Sequence, residues 1–119
     1  MCLIKLRKFP KISFKPVKVY KVFYKDENGY YYTPYIFRGP LETGDTIKGK
    51  CNIFRGFYRI FFGECIDTEG VHAFTEKIFA EAKFRNFSKT AILECIIPKF
   101  TLYWYGTGGE IAARKIKIL

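Results

Sequence analysis

Alternation of apolar and polar residues predicts β-strands along most of this chain. The clearest case is 90–98, where Glu94 takes one face and four apolar side chains share the other: Ala91, Leu93, Cys95 and Ile97. Pro98 ends that strand, because proline cannot donate to a sheet. Aromatic and β-branched residues predict further strands at 17–24, 100–106 and 111–119, and one or two short strands within 52–66.

Turn and helix signals complete the expected fold. Asn28-Gly29 predicts a hairpin turn after the first strand, and the polar, Gly- and Pro-containing stretch 38–50 predicts a loop. Thr75 is placed to cap a helix over 76–85, with its apolar face formed by Ile78, Phe79 and Ala82. About six strands with one helix predict an α+β fold dominated by its sheet.

Length and composition predict one folded domain over 1–119, with 1–16 as a basic N-terminal arm that is loosely packed. The chain has 119 residues, of which 49% are hydrophobic, and it contains 13 Phe, 9 Tyr and 1 Trp. Disordered chains lack this much apolar surface, so a packed core is expected.

The four cysteines form no CxxC pair, and the chain has one histidine, so neither a metal site nor a cofactor is predicted. Free thiols in a reducing compartment are the expected state. The N-terminus lacks the apolar core of a signal peptide, and no stretch has the roughly 18 apolar residues of a membrane helix. These features predict a cytoplasmic location and no membrane partner.

Positive charge is concentrated at the two ends of the chain. The formal net charge is +10, residues 1–25 contain eight Lys or Arg and no acid, and 111–119 contain three and no acid. If the terminal strands lie side by side, they form a basic ridge that attracts phosphates. The alternative is that lysines protect edge strands and aid solubility.

Basic and aromatic residues alternate in several segments, a combination that suits nucleic acid or a nucleotide as the partner. The residues predicted to supply charge are Lys18, Lys21, Arg55, Arg59, Arg114, Lys115 and Lys117. Stacking is predicted for Tyr30, Tyr31 and Tyr32, since consecutive tyrosines cannot all point into a core. An exposed tyrosine cluster is equally suited to docking a protein.

Catalytic signals are weak. His72 lies in "GVHAF" just before the predicted helix, with its ring expected to face away from Val71 and Ala73. A Cys–His pair would need His72 beside Cys65 or Cys95. The strand pattern places Cys95 among core residues, and Cys65 lies between the acids Glu64 and Asp67, which do not activate a thiol. Binding is therefore favoured over catalysis, and His72 is predicted to contact a ligand or to make a structural hydrogen bond.

Seven segments, in this order, resemble a family of small uncharacterised proteins from gut Bacteroidetes-type bacteria and their phages: MCLIKL, VKVYKVF, YYTPY, GVHAF, CIIPK, YWYG and EIAARKIKI. The resemblance implies a phage or mobile-element accessory protein, for which inhibition of a host defence enzyme is an alternative function. This chain has Phe100 where such proteins have glycine and Ala113 where serine is expected, so a different turn is expected at Phe100.

The order of "GVHAF", a helix, "ILECIIP" and "GGEIAARKIKI" is also similar to the ADP-ribosyltransferase core. That resemblance implies that His72 stands where a tyrosine stacks on nicotinamide and that Glu110 holds a ribose hydroxyl. The first catalytic position falls near Tyr20 or Lys21, where the required His or Arg is missing. A degenerate transferase is therefore a further alternative, and convergence of these residues on one cleft is its test.

Overall fold

A computed structural model describes residues 4–6, 11–33, 39–49, 65–67, 71–106 and 108–119. The strands are β1 (Ile4–Leu6), β2 (Lys11–Ile12), β3 (Val17–Lys25), β4 (Tyr31–Tyr32), β5 (Thr46–Lys48), β6 (Cys65–Asp67), β7 (Val71–Phe74), β8 (Thr90–Ile97), β9 (Leu102–Tyr105), β10 (Glu110–Ala113) and β11 (Lys115–Ile118). One helix, α1, covers Lys77–Lys83. The predicted sheet-dominated fold with one helix is confirmed.

Nine strands form one antiparallel sheet in the order β2-β9-β10-β7-β3-β8-β11-β5, with β4 beside β3, and β1 pairs with β6 apart from it. The prediction of about six strands was wrong. Among the additional strands, β2, β4 and β5 have only two or three residues each, too few for a periodic pattern. Their pairing partners, rather than their own sequences, make them strands.

The C-terminal segment contributes two consecutive strands to different parts of the sheet. β10 pairs with β7, whereas β11 pairs with β8, and β7 and β8 lie on either side of β3. Only Arg114 separates β10 from β11; its N–H donates to the Leu102 carbonyl at 3.0 Å and its carbonyl accepts from Gly49 at 2.7 Å. The single strand predicted at 111–119 is therefore two strands, which lie on opposite sides of β3 in the strand order.

One side of the sheet, which we call the inner side, holds the main core. Its buried residues alternate along the strands: Val19, Phe23, Ile47, Val71, Ala73, Cys95, Ile97, Tyr103, Ile111, Ala113, Ile116 and Ile118. The predicted alternation on β8 is confirmed, with Cys95 and Ile97 fully buried and Glu94 exposed. Burying each such aliphatic side chain contributes about 1.5–3 kcal/mol, which makes this cluster the main stabilising feature.

Helix α1 covers part of the outer side, but not with the predicted face. Ala80 and Phe84 are buried against Val22 and Phe74, whereas Ile78 is 64% exposed. The helix lies within the predicted range of 76–85, but the predicted Thr75 cap was wrong: the helix starts after Glu76, which makes no side-chain cap. Both the N–H and the hydroxyl of Thr75 donate to the Gly109 carbonyl, which attaches the start of the helical segment to the turn before β10.

Two turn predictions differ in outcome. The Asn28-Gly29 turn is confirmed: Gly29 has φ +85°, and the Asp26 carboxylate accepts hydrogen bonds from the N–H groups of Asn28 and Tyr30. The predicted loop 38–50 instead contains β5, which pairs with β11. Within the predicted strand region 52–66, only 65–66 belong to the described residues, as part of β6.

In the part of the chain that the structure describes, no helix is both long and apolar enough to cross a bilayer.

Candidate functional site

Four lysines lie on the outer side of neighbouring strands and form what we call the lysine face: Lys18, Lys48, Lys115 and Lys117. Lys117 and Lys18 both pair with Ile96 of the strand between them, and Lys115 pairs with Lys48. Paired residues project to the same side of a sheet. Since Ile116 and Ile118 point into the core, all four lysines point outward.

The lysine face spans β5, β11, β8 and β3, which is about 14 Å across three strand spacings. Glu94 lies on the same side, 3.8 Å from the Lys18 ammonium, with both side chains more than half exposed. Such an exposed pair contributes little energy and leaves Lys18 available to another anion. The face therefore carries a net positive charge in contact with water.

Two exposed phenylalanines adjoin this face. Phe14 is 74% exposed and Phe100 is 67% exposed, and they flank the hydrogen bond from the Phe100 N–H to the Ser13 carbonyl, 2.6 Å long. The buried Ser13 hydroxyl donates to the Pro98 carbonyl at 2.6 Å and accepts from the Thr101 N–H at 2.9 Å. We call Phe14 and Phe100 the phenylalanine pair.

The phenylalanine pair lies just beyond the end of the β3–β8 pairing, where Val17 pairs with Ile97 and Lys18 with Ile96. The Lys99 ammonium lies 4.8 Å from the centroid of the Phe100 ring. Exposed aromatic rings, ammonium groups and the lysine face thus meet at one end of the sheet.

The predicted tyrosine cluster lies at the opposite end of β3, about seven residues or 24 Å from Lys18. Tyr31 packs edge-on against the core residue Phe23, with ring centroids 6.1 Å apart. Burial and the nearby Asp26 carboxylate raise the pKa of Tyr32, and Tyr30 is exposed. The structure does not bring these tyrosines to the lysine face.

The other predicted charge-bearing residues divide between the interior, the surface and the undescribed part of the chain. Lys21 is buried, because it lies on the inner side of β3 between Val19 and Phe23, and its ammonium donates to the His72 carbonyl at 2.7 Å. Arg114 is exposed at the bend between β10 and β11. Arg55 and Arg59 lie outside the described residues.

His72, Glu110 and Tyr20 lie on the same side of the sheet. Glu110 pairs with Phe74, which also pairs with Tyr20, and His72 pairs with Ala112, one diagonal step from Glu110. As predicted, the His72 ring faces away from the buried Val71 and Ala73. Lys21, the other residue considered for this grouping, lies on the opposite side of the sheet.

Glu110 is committed to an ion pair. It is 7% exposed, and its carboxylate binds the ammonium of Lys83 from helix α1. The same lysine lies 5.9 Å from the centroid of the Phe74 ring. The ion pair therefore attaches helix α1 to strand β10.

The one cysteine whose side chain is described, Cys95, has a free but buried thiol. Burial raises the pKa of the Cys95 thiol to about 11, although the nearby Lys21 charge opposes the shift. A thiol with this pKa stays protonated at neutral pH and is a poor nucleophile. Within the described residues, no group of three or more His, Cys, Asp or Glu is placed to hold a metal ion.

Comparison with protein-family models, with curated proteins and with solved structures finds no significant match for this chain. The two resemblances noted in the sequence therefore stay predictions, as do the phage setting and the inhibition of a host enzyme.

Sequence reasoning missed three members of this site: Lys48, Phe14 and Phe100. Lys48 belongs to the short apolar–polar alternation Thr46-Ile47-Lys48, which was assigned to a loop. Phe14 and Phe100 lie in acid-free stretches near prolines, which is a signal for exposed turns. Their proximity to each other depends on long-range pairing, which neither stretch encodes by itself.

Proposed function

We propose that this protein binds nucleic acid through the lysine face. The observation that carries the proposal is the convergence of Lys18, Lys48, Lys115 and Lys117, from three separate parts of the chain, on one outer surface. Lysine ammonium groups bind backbone phosphates and release the counterions condensed on them. A cytoplasmic location belongs to the same proposal.

The shape of the lysine face favours a polymer over a single nucleotide. Lys48 and Lys115 form one row across the strands, and Lys117 and Lys18 form a second row two residues away. The rows extend over about 14 Å, too wide for one phosphate group to contact all four ammonium groups. A chain of phosphates can occupy both rows together.

Fluorescence anisotropy with a labelled oligonucleotide at low salt tests the proposal. The wild-type protein should bind, and an unlabelled mononucleotide should not displace the oligonucleotide at comparable concentration. Replacing Lys115 and Lys117 by glutamine should weaken binding, since two phosphate contacts are removed.

The matched control replaces Arg85 and Lys89 by glutamine. Both are exposed, and Lys89 adjoins Lys25 at the opposite end of β3 from Lys18, so this variant has the same net charge as the test variant. The control should bind nearly as well as wild type. Absence of binding by the wild-type protein, or equal losses in the two variants, would contradict a specific role for the lysine face.

A further inference from the structure

Phe100 has an unusual backbone conformation for its residue type. Its φ is +63°, in the left-handed region that glycine adopts freely and a bulky side chain adopts only at a cost. Its ring is 67% exposed, so burial does little to offset that cost. The conformation persists because the Ser13 carbonyl and hydroxyl hold the N–H groups of Phe100 and of Thr101. A strained residue whose side chain points into water suggests a role outside the fold itself.

The surroundings of the phenylalanine pair indicate what it contacts. Residues 1–25 and 95–109, the two stretches that carry Phe14 and Phe100, contain no acid. The Lys99 ammonium lies 4.8 Å from the Phe100 ring centroid, and Lys15 is exposed next to Phe14. An apolar ring beside ammonium groups fits a partner that presents flat aromatic groups and negative charges at short intervals.

The phenylalanine pair is also close to the lysine face along the chain. Phe14 lies four residues before Lys18 in the sequence. Phe100 lies four residues after Ile96, which pairs with both Lys18 and Lys117. The backbone of each phenylalanine therefore lies a short distance along the chain from a position on the lysine face.

We propose that the phenylalanine pair stacks on unpaired bases, so that the nucleic acid bound by the lysine face is single-stranded. This inference rests on the proposed function and specifies its substrate class. In a duplex each base face is covered by its neighbours, whereas a single strand offers every base for stacking. Each nucleotide supplies one aromatic ring and one phosphate, which match the rings and ammonium groups of this surface.

The test compares a labelled single strand of about 12 nucleotides with a duplex of the same sequence, since one small domain covers about 4–16 nucleotides. The variants are Phe14→Ala and Phe100→Gly. Each should weaken binding of the single strand by roughly 5- to 150-fold, the effect of losing one base–aromatic stack. Binding to the duplex should change little.

The melting temperature of Phe100→Gly shows whether this variant still folds. Glycine accepts a positive φ without strain, so the melting temperature of this variant should equal or exceed that of the wild type while binding falls. Phe100→Trp should restore stacking. Phe87→Ala, which removes an exposed ring in the turn after α1, should leave binding unchanged.

The outcomes separate the two proposals. If the wild-type protein binds no nucleic acid, the proposed function and this inference fall together. If it binds both oligonucleotides in a lysine-dependent way and neither phenylalanine variant changes binding, only the stacking inference falls. Binding to anionic phospholipid vesicles that needs Phe14 and Phe100, without selective binding of single strands, would overturn it in favour of a lipid surface.

Discussion

The salt dependence of binding is the most quantitative consequence of the lysine face. Four lysines on one surface predict about four neutralised phosphates if the strand contacts all of them. For a single strand, each neutralised phosphate contributes about 0.7 to the slope of log Kd against log salt concentration, so the slope should be about 2.8. Between about 50 and about 200 mM salt, the wild-type affinity should fall roughly 50-fold.

The perturbation is the double variant Lys115→Gln, Lys117→Gln. Removing two of the four ammonium groups should halve the slope to about 1.4, so that the same change in salt weakens binding only about 7-fold. The two substitutions should also leave the melting temperature nearly unchanged. Lys117 is exposed and Lys115 is half-buried on the outer side of β11, and replacing such surface residues seldom changes stability by more than about 0.5 kcal/mol.

The measurement is a series of anisotropy titrations at four or more salt concentrations, with the same labelled single strand throughout. The control variant Arg85→Gln, Lys89→Gln should keep the wild-type slope, since its residues lie away from the lysine face. A wild-type slope near zero would refute phosphate contacts altogether. An equal reduction of slope in the test and control variants would show that net charge, rather than the lysine face, governs binding.

Three further predictions concern stability. Gly108→Ala should lower the free energy of unfolding by about 1–2 kcal/mol in urea denaturation, because φ at this residue is +67°. Gly109→Ala should lower it further, because φ is +75° and the added Cβ would also clash with the Phe79 ring. Equal losses in the two variants would contradict the contact with Phe79. Glu110→Gln should lower the free energy of unfolding by about 1–2 kcal/mol, a modest loss because the Lys83 side chain is 39% exposed to solvent. A double-mutant cycle with Lys83→Gln should show coupling between the two residues. The control Glu81→Gln should change stability little. Because the pKa of the Cys95 thiol is raised to about 11, the unfolded chain loses this proton first, so stability should fall as pH rises from about 8.5 towards 11. Cys95→Ala should show a smaller loss of melting temperature over that range, and an unchanged loss would assign the pH dependence to other groups.

The transferase alternative can be assessed from three particular residues. A transferase site would need His72 and Glu110 to lie close to either Tyr20 or Lys21. Strand pairing places His72, Glu110 and Tyr20 on one side of the sheet. The Glu110 carboxylate is nevertheless bound by Lys83, and helix α1 packs on the same side. No sequence pattern could show this, because Lys83 and Glu110 are 27 residues apart and meet only when the helix docks.

The amino-acid sequence by itself determined the long strands, the Asn28-Gly29 turn and the buried alternation on β8. These follow from local steric preferences and from the two-residue period of a strand, which neighbouring residues specify without help from the rest of the chain. The same period made the outward direction of His72 predictable.

Tertiary structure alone decided the site. The position of Lys48 beside Lys115, the separation of the tyrosines from the basic surface and the burial of Lys21 all depend on which strands pair and in which register. Pairing between distant segments is set by how the whole core packs, and a composition count cannot show which lysines then share a side. The same long-range packing places Ser13 against Thr101 and leaves the Phe100 ring exposed.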